Sequence, residues 1–370
     1  MTDERGRHST WVTVDLDAIQ DNIRYFLERS KVQVMAIVKA NAYGHGAVPV
    51  ARAALEAGAT WCGVARVNEA QELRQAGLDC PILILGYTPD ARYKEMIDQG
   101  VSMTVWDLNQ IENISAVASG SNQEARLHLK ADTGMSRLGA NPEKLIGLIH
   151  EIAAFPNLQI EGLFTHFARA DETDSMPTDA QEELFHDLLA KLKEAGIHIP
   201  VVHAANSAAS LTRPSTYFNC VRVGIAMYGL HPSSECPLPQ SFRPALAWKS
   251  VLSQVKILPA GRGISYGHEY ITSREGRIGT VPVGYADGFR RVPGNRVLVG
   301  GSKVPVVGRV TMDQIMVQLD VVLEASEGDE VVIIGAQGDE SITAEDIAAR
   351  WGTINYEVTS GIAYRVPRIY

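Results

Sequence analysis

Apolar residues along this chain fall into two textures. From Val32 to Tyr228, eight short and nearly continuous apolar runs recur: VQVMAIV, WCGVA, PILILG, VSMTVW, RLHLKA, IEGLFTH, VVHAAN and VRVGIAMYG. Runs of this kind read as strands buried on both faces, as strands of parallel sheets are. Between them apolar residues return at helical spacing, as at Val48, Ala51, Ala54 and Leu55, or at Leu184, Leu188, Leu189 and Leu192. Gly58, Gly77 and Gly196 stand where such helices would end. Strand and helix alternating eight times predicts an α/β fold, a (β/α)8 TIM-type barrel, with a doubly wound sheet as the alternative.

After about residue 241 the pattern changes. WKSVLSQVKILPAGRGISYG, GRIGTVPVGYADG and NRVLVGGSKVPVVGRVTMDQIMVQLD are β-rich and punctuated by Gly and Pro. Hairpin-like turns are expected at Pro293-Gly294-Asn295 and Gly300-Gly301-Ser302. EGDEVVIIG adds a strand and ITAEDIAARWG a helix. The expected division is a barrel over residues 1–240 and a mostly β domain over 241–370, with the first residues of the chain able to pair with the second domain.

Composition narrows the function classes. The 370 residues leave room for two domains, and 45% hydrophobic with 21% charged residues is the balance of a globular chain with a sizeable core. A net charge of −9 with no lysine or arginine run argues against nucleic acid or an anionic membrane surface as partner. The N-terminal MTDERGRHST is charged where a signal peptide would be apolar, and no apolar run approaches the ~18 residues of a membrane span. The expected location is the cytoplasm. Cys62, Cys80, Cys220 and Cys236 form no C-x-x-C pair and read as small buried hydrophobes rather than a disulfide framework or zinc site.

The stretch AIVKANAYGHG, Ala36 to Gly46, carries the first chemistry. A lysine at the end of a buried strand, such as Lys39, is either solvated or held against an apolar wall. The second placement disfavours its charge and lowers its pKa. A neutral lysine amine forms a Schiff base with a carbonyl compound, pyridoxal phosphate included. In a barrel the active site is built at the C-terminal ends of the strands. Those ends supply Lys39 and Tyr43, Lys130 and Arg137, His166, Asn206 and Ser207, and Arg222 with Gly224. Such a set suits an anionic, phosphate-bearing ligand with a carbonyl group. Alternatives stand beside several members. His166 can be a core histidine bonded to a carbonyl. Asn206 and Ser207 can cap a helix, although a helix N-terminus itself binds phosphate. Arg222, inside an apolar strand, needs a partner.

Nine motifs then align in order. AIVKANAYGHG, HLKADTGMSRLG, FTHFARADE, NSAAS, VRVGIAMYGL, ISYGHEY, VGYADGF, GRVTMDQ and TINYEV are similar to the motifs of alanine racemases, from about Trp11 to Pro367. The resemblance implies a pyridoxal-phosphate barrel followed by a β domain, in a homodimer whose sites are shared between subunits. It implies that Lys39 holds the cofactor, that Tyr43, Ser207, Gly224, Ile225 and Tyr356 surround its phosphate with Asn206 close by, and that Arg222 faces the pyridine nitrogen. His166 would link Arg222 to Tyr266. Tyr266 and Met312 would come from the other subunit, as second base and substrate-carboxylate contact, with Asp313 shaping that edge. Arg137 would meet the cofactor's phenolic oxygen and the substrate carboxylate. Lys130 matches a lysine that is carbamylated in many members and orients that arginine. One departure is Thr311, where the family often carries cysteine; both are small, and little effect on the chemistry is expected.

These residue types suit racemisation, which removes a Cα proton from one face and returns one to the other. Lys39 would serve one face and Tyr266 the other. A phenol ordinarily titrates near ~10, so a hydrogen-bond chain through His166 to a cation is needed to favour the phenolate. A guanidinium at the pyridine nitrogen cannot accept a proton and disfavours one nearby, which limits side reactions and argues against a decarboxylase. The resemblance therefore implies an alanine racemase that interconverts L- and D-alanine and supplies D-alanine for peptidoglycan. A serine or broad-specificity racemase and a non-catalytic pyridoxal-phosphate carrier are the alternatives. A metal-dependent aldolase is disfavoured, His268 being the only histidine after Ser241.

Overall fold

The computed structural model describes residues 7–370. The first six residues of the charged N-terminal stretch, from which the lack of a signal segment was read, lie outside the described residues. The first strand, β1 (Thr10–Val14), was not marked by any of the apolar runs. The eight runs become β2 (Gln33–Ile37), β3 (Trp61–Val64), β4 (Ile82–Ile84), β5 (Ser102–Val105), β6 (Ala125–Lys130), β7 (Leu158–Phe164), β8 (Val201–His203) and β9 (Cys220–Val223). They pair in parallel, in the order β8-β7-β6-β5-β4-β3-β2-β9. The two ends of that order meet, because Arg222 N donates to Ala205 O at 2.9 Å and Asn219 N donates to Val202 O at 3.4 Å. The sheet thus curls into a barrel and is not doubly wound.

Helices alternate with these strands, and their glycine stops behave as the spacing predicts. Gly58, Gly77 and Gly196 take φ of +112°, +76° and +70°, and their amides bond Leu55, Arg74 and Lys193 carbonyls. The helix Met176–Glu194 corrects the expected face. Gln181, Phe185, Leu188 and Leu192 are buried, whereas Leu184 is exposed. The true stripe follows i, i+4, i+7 and i+11, and Leu184 lies one residue out of phase. Among the described residues no helix is long and apolar enough to cross a membrane.

Side chains inside the barrel alternate with those facing the helices. Trp61, His128, Phe164 and His203 pack ring against ring, with centroids 5.3 Å apart for Trp61–His128 and 5.2 Å for His128–His203. Gly162 makes room for them, since a Cβ there would meet His128 ring atoms at 2.2–2.8 Å.

The second unit gathers the described residues up to Leu16, Tyr43–Gly46 and Pro244–Tyr370, while the barrel unit comprises Asp17–Ala42 and Ala47–Arg243. Its main sheet is largely antiparallel. In it β1 pairs with Leu246–Val251 on one side and, in parallel, with Arg368–Ile369 on the other. Trp248, Val297, Leu298, Val331 and Val332 fill its core. The strands Arg296–Val299 and Ser302–Val307 close over Gly300 and Gly301, whose φ of +53° and +76° suit a two-residue type I′ hairpin. Pro293-Gly294-Asn295 is not a hairpin. No strand immediately precedes it, because Tyr285–Asp287 forms a 3-10 turn and buries Phe289 just beyond.

Gly162→Ala is expected to destabilise the chain by about 1–3 kcal/mol, since neither His128 nor the strand behind it can yield 1 Å. A fall in the urea midpoint at unchanged m-value checks this; an unchanged midpoint would mean that the interior is looser than described.

Candidate active site

Lys39 stands where β2 ends. Val38 N donates to Gly63 O at 2.9 Å, the last contact to β3, and the chain then enters a left-handed turn. Ala40, Asn41, Ala42 and Tyr43 all have φ of 52–53°. Each L-residue in that conformation costs about 1–2 kcal/mol, so the turn persists only through its bonds. Ala42 N donates to Val38 O at 2.8 Å, Asn41 Oδ1 accepts from Ala47 N at 2.9 Å, and the Glu69 carboxylate accepts from Ala40 N at 2.6 Å.

Arg222, on β9, is buried inside the barrel. Its Nη1 donates to His203 Nδ1 at 2.9 Å and His203 O at 3.0 Å. Its Nη2 donates to Thr165 O, Ala204 O and His166 Nδ1, each at 2.9 Å. The partner that this arginine requires is therefore a set of carbonyls and imidazoles, not a carboxylate. A guanidinium only donates, so both imidazoles accept through Nδ1 and carry their proton on Nε2. The order then runs inward: His203 Nε2 donates to His128 Nδ1 at 2.9 Å, and His128 Nε2 donates to Glu161 Oε2 at 3.3 Å. Ser102 also donates to that oxygen. The Phe164 ring lies beside this line, stacked on His203 at 4.7 Å, with Lys130 Nζ and the Arg222 guanidinium 5.1 and 5.4 Å from its centre.

Cationic charges predominate at this end of the barrel, with the carboxylates of Glu69 and Asp132 opposing them. Burial, with the charges of Arg137 and Arg222, lowers the Lys39 pKa, and the Glu69 carboxylate opposes them. Lys130 is lowered to about 8 by burial and then by Arg222 and Arg137. His166 and His203 lie well below the ordinary imidazole range, from burial first and the Arg222 charge second. Burial brings Arg222 down to about 10, leaving it a cation at neutral pH. Arg137 rides on residues 131–140, a loop pinned at its base by Asp132 N donating to Ala140 O and Ala140 N donating to Lys130 O. His166 is held from behind by Gln181, whose Nε2 donates to His166 O at 3.1 Å.

Beside Arg222 lies a second donor group. Asn206 caps the helix Ser207–Thr212, its side chain accepting from Ala209 N at 3.0 Å. Ser207 Oγ accepts from Gly224 N at 2.9 Å, which draws the turn at Gly224 and Ile225 against the helix start. An amine of suppressed charge, three cationic side chains, a hydroxyl and turn amides form a donor set that fits pyridoxal phosphate: an aldehyde, a phosphate and a ring nitrogen.

The other predicted residues belong to the second unit. Tyr43 and Tyr356 have ring centroids 6.0 Å apart. Tyr266 lies in the turn between the paired strands Gly263–Ile264 and Tyr270–Ile271 and is 72% exposed; Met312 is 52% exposed. Ser265, just before Tyr266, has φ 63° and ψ −172°, a conformation almost confined to glycine, and is held by its hydroxyl donating to Arg309 O at 2.7 Å. Arg365 bridges Asp313, at 2.7 Å, and Asp287, at 2.6 Å.

Sequence reasoning missed His128, His203, Glu161, Phe164 and Glu69. A signal was present for two of them. His128 in RLHLK shares the inward parity of Lys130, and His203 ends the otherwise apolar VVH, so each is a polar residue inside a buried strand.

A parallel barrel whose strand ends bear a charge-suppressed lysine among cations, joined to a β unit, defines an enzyme for an anionic, carbonyl-bearing ligand. Residues 14–232 match the alanine racemase N-terminal domain and residues 245–370 the C-terminal domain. The chain is 45% identical over 368 residues to an alanine racemase of Symbiobacterium thermophilum, covering 99% of this chain and 98% of that one. The crystal structure of alanine racemase from Bacillus anthracis with bound L-Ala-P superposes with a TM-score of 0.92 at 44% identity, covering 98% of this chain and 95% of that one. Alanine racemase from the D-cycloserine producer Streptomyces lavendulae gives 0.93 at 42%, covering 98% and 97%. The chain belongs to the alanine racemase family, and it is an amino-acid racemase.

His128 and His203 are fully buried, and both titrate below the ordinary imidazole range. Above about pH 6.5 neither the folded nor the unfolded chain charges them. Below it the unfolded chain binds the proton first and stability falls, by up to about 1.4 kcal/mol per pH unit for each histidine. Urea unfolding between about pH 7 and pH 5 is expected to show this decline; a flat profile would mean that the two rings take up protons inside the barrel.

Proposed function

We propose that the chain is a pyridoxal-phosphate-dependent alanine racemase acting as a cytoplasmic homodimer, with D-alanine destined for peptidoglycan. What carries this reading is Arg222, a permanent cation whose own donors are held by carbonyls and neutral imidazoles. The Bacillus anthracis relative with L-Ala-P supports alanine as the substrate. Pyridoxal phosphate, when bound, would supply the electron-withdrawing ring that acidifies the Cα proton of an amino acid.

The chain's own residues would do the rest. Ser207, Gly224 and Ile225 would hold the phosphate, and the sequence resemblance adds Tyr43 and Tyr356, with Asn206 fixing the helix that presents Ser207. Arg222 would face the ring nitrogen, where a guanidinium accepts no proton and disfavours one. Arg137 takes the substrate carboxylate, and Lys130 orients Arg137. Lys39, whose charge is suppressed by burial and Arg137, moves a proton on one face of the substrate. Tyr266 of the partner subunit moves it on the other, beside the partner's Met312 and Asp313. His166 accepts from Arg222 through Nδ1, so its Nε2 proton is the one offered to that phenol. The exposure of Tyr266 and Met312 in the single chain supports their use by a second copy.

Racemisation of a panel of amino acids, with and without added pyridoxal phosphate, tests the reading directly. Borohydride reduction followed by peptide mapping is expected to place the pyridoxyl label on Lys39, and a label on Lys130 would overturn the assignment. Cofactor-independent racemisation would remove the cofactor, and a preference for serine would replace the substrate.

The shared site has its own test. Lys39→Ala and Tyr266→Phe are each expected to lose activity by roughly 10²–10⁴-fold. When the two variants are mixed under exchange, half the dimers are mixed and each has one intact site of two. Roughly a quarter of wild-type activity then returns. No return, with exchange verified by mass, would place both bases in one chain.

A further inference from the structure

We propose that Glu69 is a positioning residue for Lys39: its carboxylate clamps the left-handed turn behind that lysine to the loop after β3 and sets a negative charge beside an otherwise cationic site. This rests on the reading of Lys39 as the cofactor lysine. Glu69 lies in the first turn of the helix Val67–Gln75. One oxygen accepts from Ala65 N at 2.7 Å and Arg66 N at 2.9 Å, an ordinary task for a glutamate at a helix start. The other oxygen leaves the helix and accepts from Ala40 N at 2.6 Å, the amide immediately after Lys39.

That third bond falls where the backbone most needs one. Ala40 opens the run of four L-residues with positive φ, and its amide would otherwise point away from any strand partner in a conformation that L-residues avoid. The bond therefore fixes the direction in which the Lys39 side chain leaves β2. Its charge matters as well. Lys39 faces Arg222 from β9, Lys130 from β6, Arg137 from the loop after β6 and His166 from beyond β7, and Glu69 is the carboxylate that acts on it. A carboxylate supports the protonated lysine against the three cations, so Lys39 can both give and take a proton rather than remain neutral throughout.

The test uses the full-length chain, freed of cofactor with hydroxylamine, and follows acylation of Lys39 against pH by peptide mapping. Glu69→Gln keeps one carbonyl oxygen for the helix amides but removes the charge. Its Lys39 profile is expected to shift to lower pH, because losing an anion favours the neutral amine, and its recapture of pyridoxal phosphate to slow. The reloaded variant is expected to lose roughly ten- to a hundredfold in kcat with KM for alanine little changed, as misplacement of a reacting group does. If the Lys39 profile superimposes on that of the wild type while the melting temperature falls, Glu69 only caps its helix and the proposal fails. Should the variant not fold, hydrogen exchange in the wild-type holoenzyme decides. An Ala40 amide protected at neutral pH, and released as the carboxylate protonates, supports the clamp; an unprotected one overturns it. A pyridoxyl label away from Lys39 would instead overturn the assignment of the cofactor lysine and leave the titration effect standing.

Discussion

Arg222 is a buried guanidinium whose hydrogen bonds go to three carbonyls and two imidazoles, contributed by His203 at the end of β8, Ala204 just after it, and Thr165 and His166 just after β7. Burying a cation in this way is tolerable only if each donor finds a dipole, and the barrel supplies them by bringing carbonyls of residues 165, 203 and 204 to one point. The same requirement settles much else. It fixes the tautomers of His166 and His203, which in turn orient His128 toward Glu161. It draws β8 to β9, where the Arg222 backbone amide closes the ring onto Ala205. The first carboxylate on this path lies beyond two neutral rings, so the positive charge at the barrel mouth is not cancelled where the ligand would meet it.

The barrel was legible in the chain because burial on both faces leaves nearly unbroken apolar runs, and each of the eight runs is a strand. The glycine stops were legible for a steric reason, since a left-handed residue at a helix end excludes most side chains. What the pattern did not reveal has equally physical causes. TWVTV is a five-residue strand too short to stand out as an apolar run, and nothing local says that its partners are Leu246–Val251 and Arg368–Ile369, far along the chain. The face of Met176–Glu194 was misphased because leucines at 184 and 189 lie beside the true stripe. Pro293-Gly294 turns the chain as expected, but a hairpin also needs a strand before it.

The site was legible to a different depth. The proposed site residues sit at or near strand ends and stand out as polar groups in or just after apolar runs, as Lys39, His166, Asn206 and Arg222 do. Residues that act on those groups are harder to see. Glu69 reads as a routine helix-start glutamate until the turn at Ala40 is folded against it. Glu161 and Ser102 lie on neighbouring parts of the barrel but 59 positions apart in the chain, and only closure of the sheet makes them one unit. Phe164 looks like one more core aromatic, yet its ring is shared by two cations and an imidazole.

The pairing of β1 constrains the order in which this polypeptide can be completed during synthesis. Among the described strands β1 is made first, but its antiparallel partner follows more than two hundred residues later and its parallel partner, Arg368–Ile369, later still. The barrel strands follow one another and can pair as they emerge, whereas β1 must wait, tethered through the helix Leu16–Ser30 to a barrel already forming. A nascent chain not yet extended through Arg368–Ile369 would thus leave β1 as an unpaired edge, and the arrival of that strand covers it.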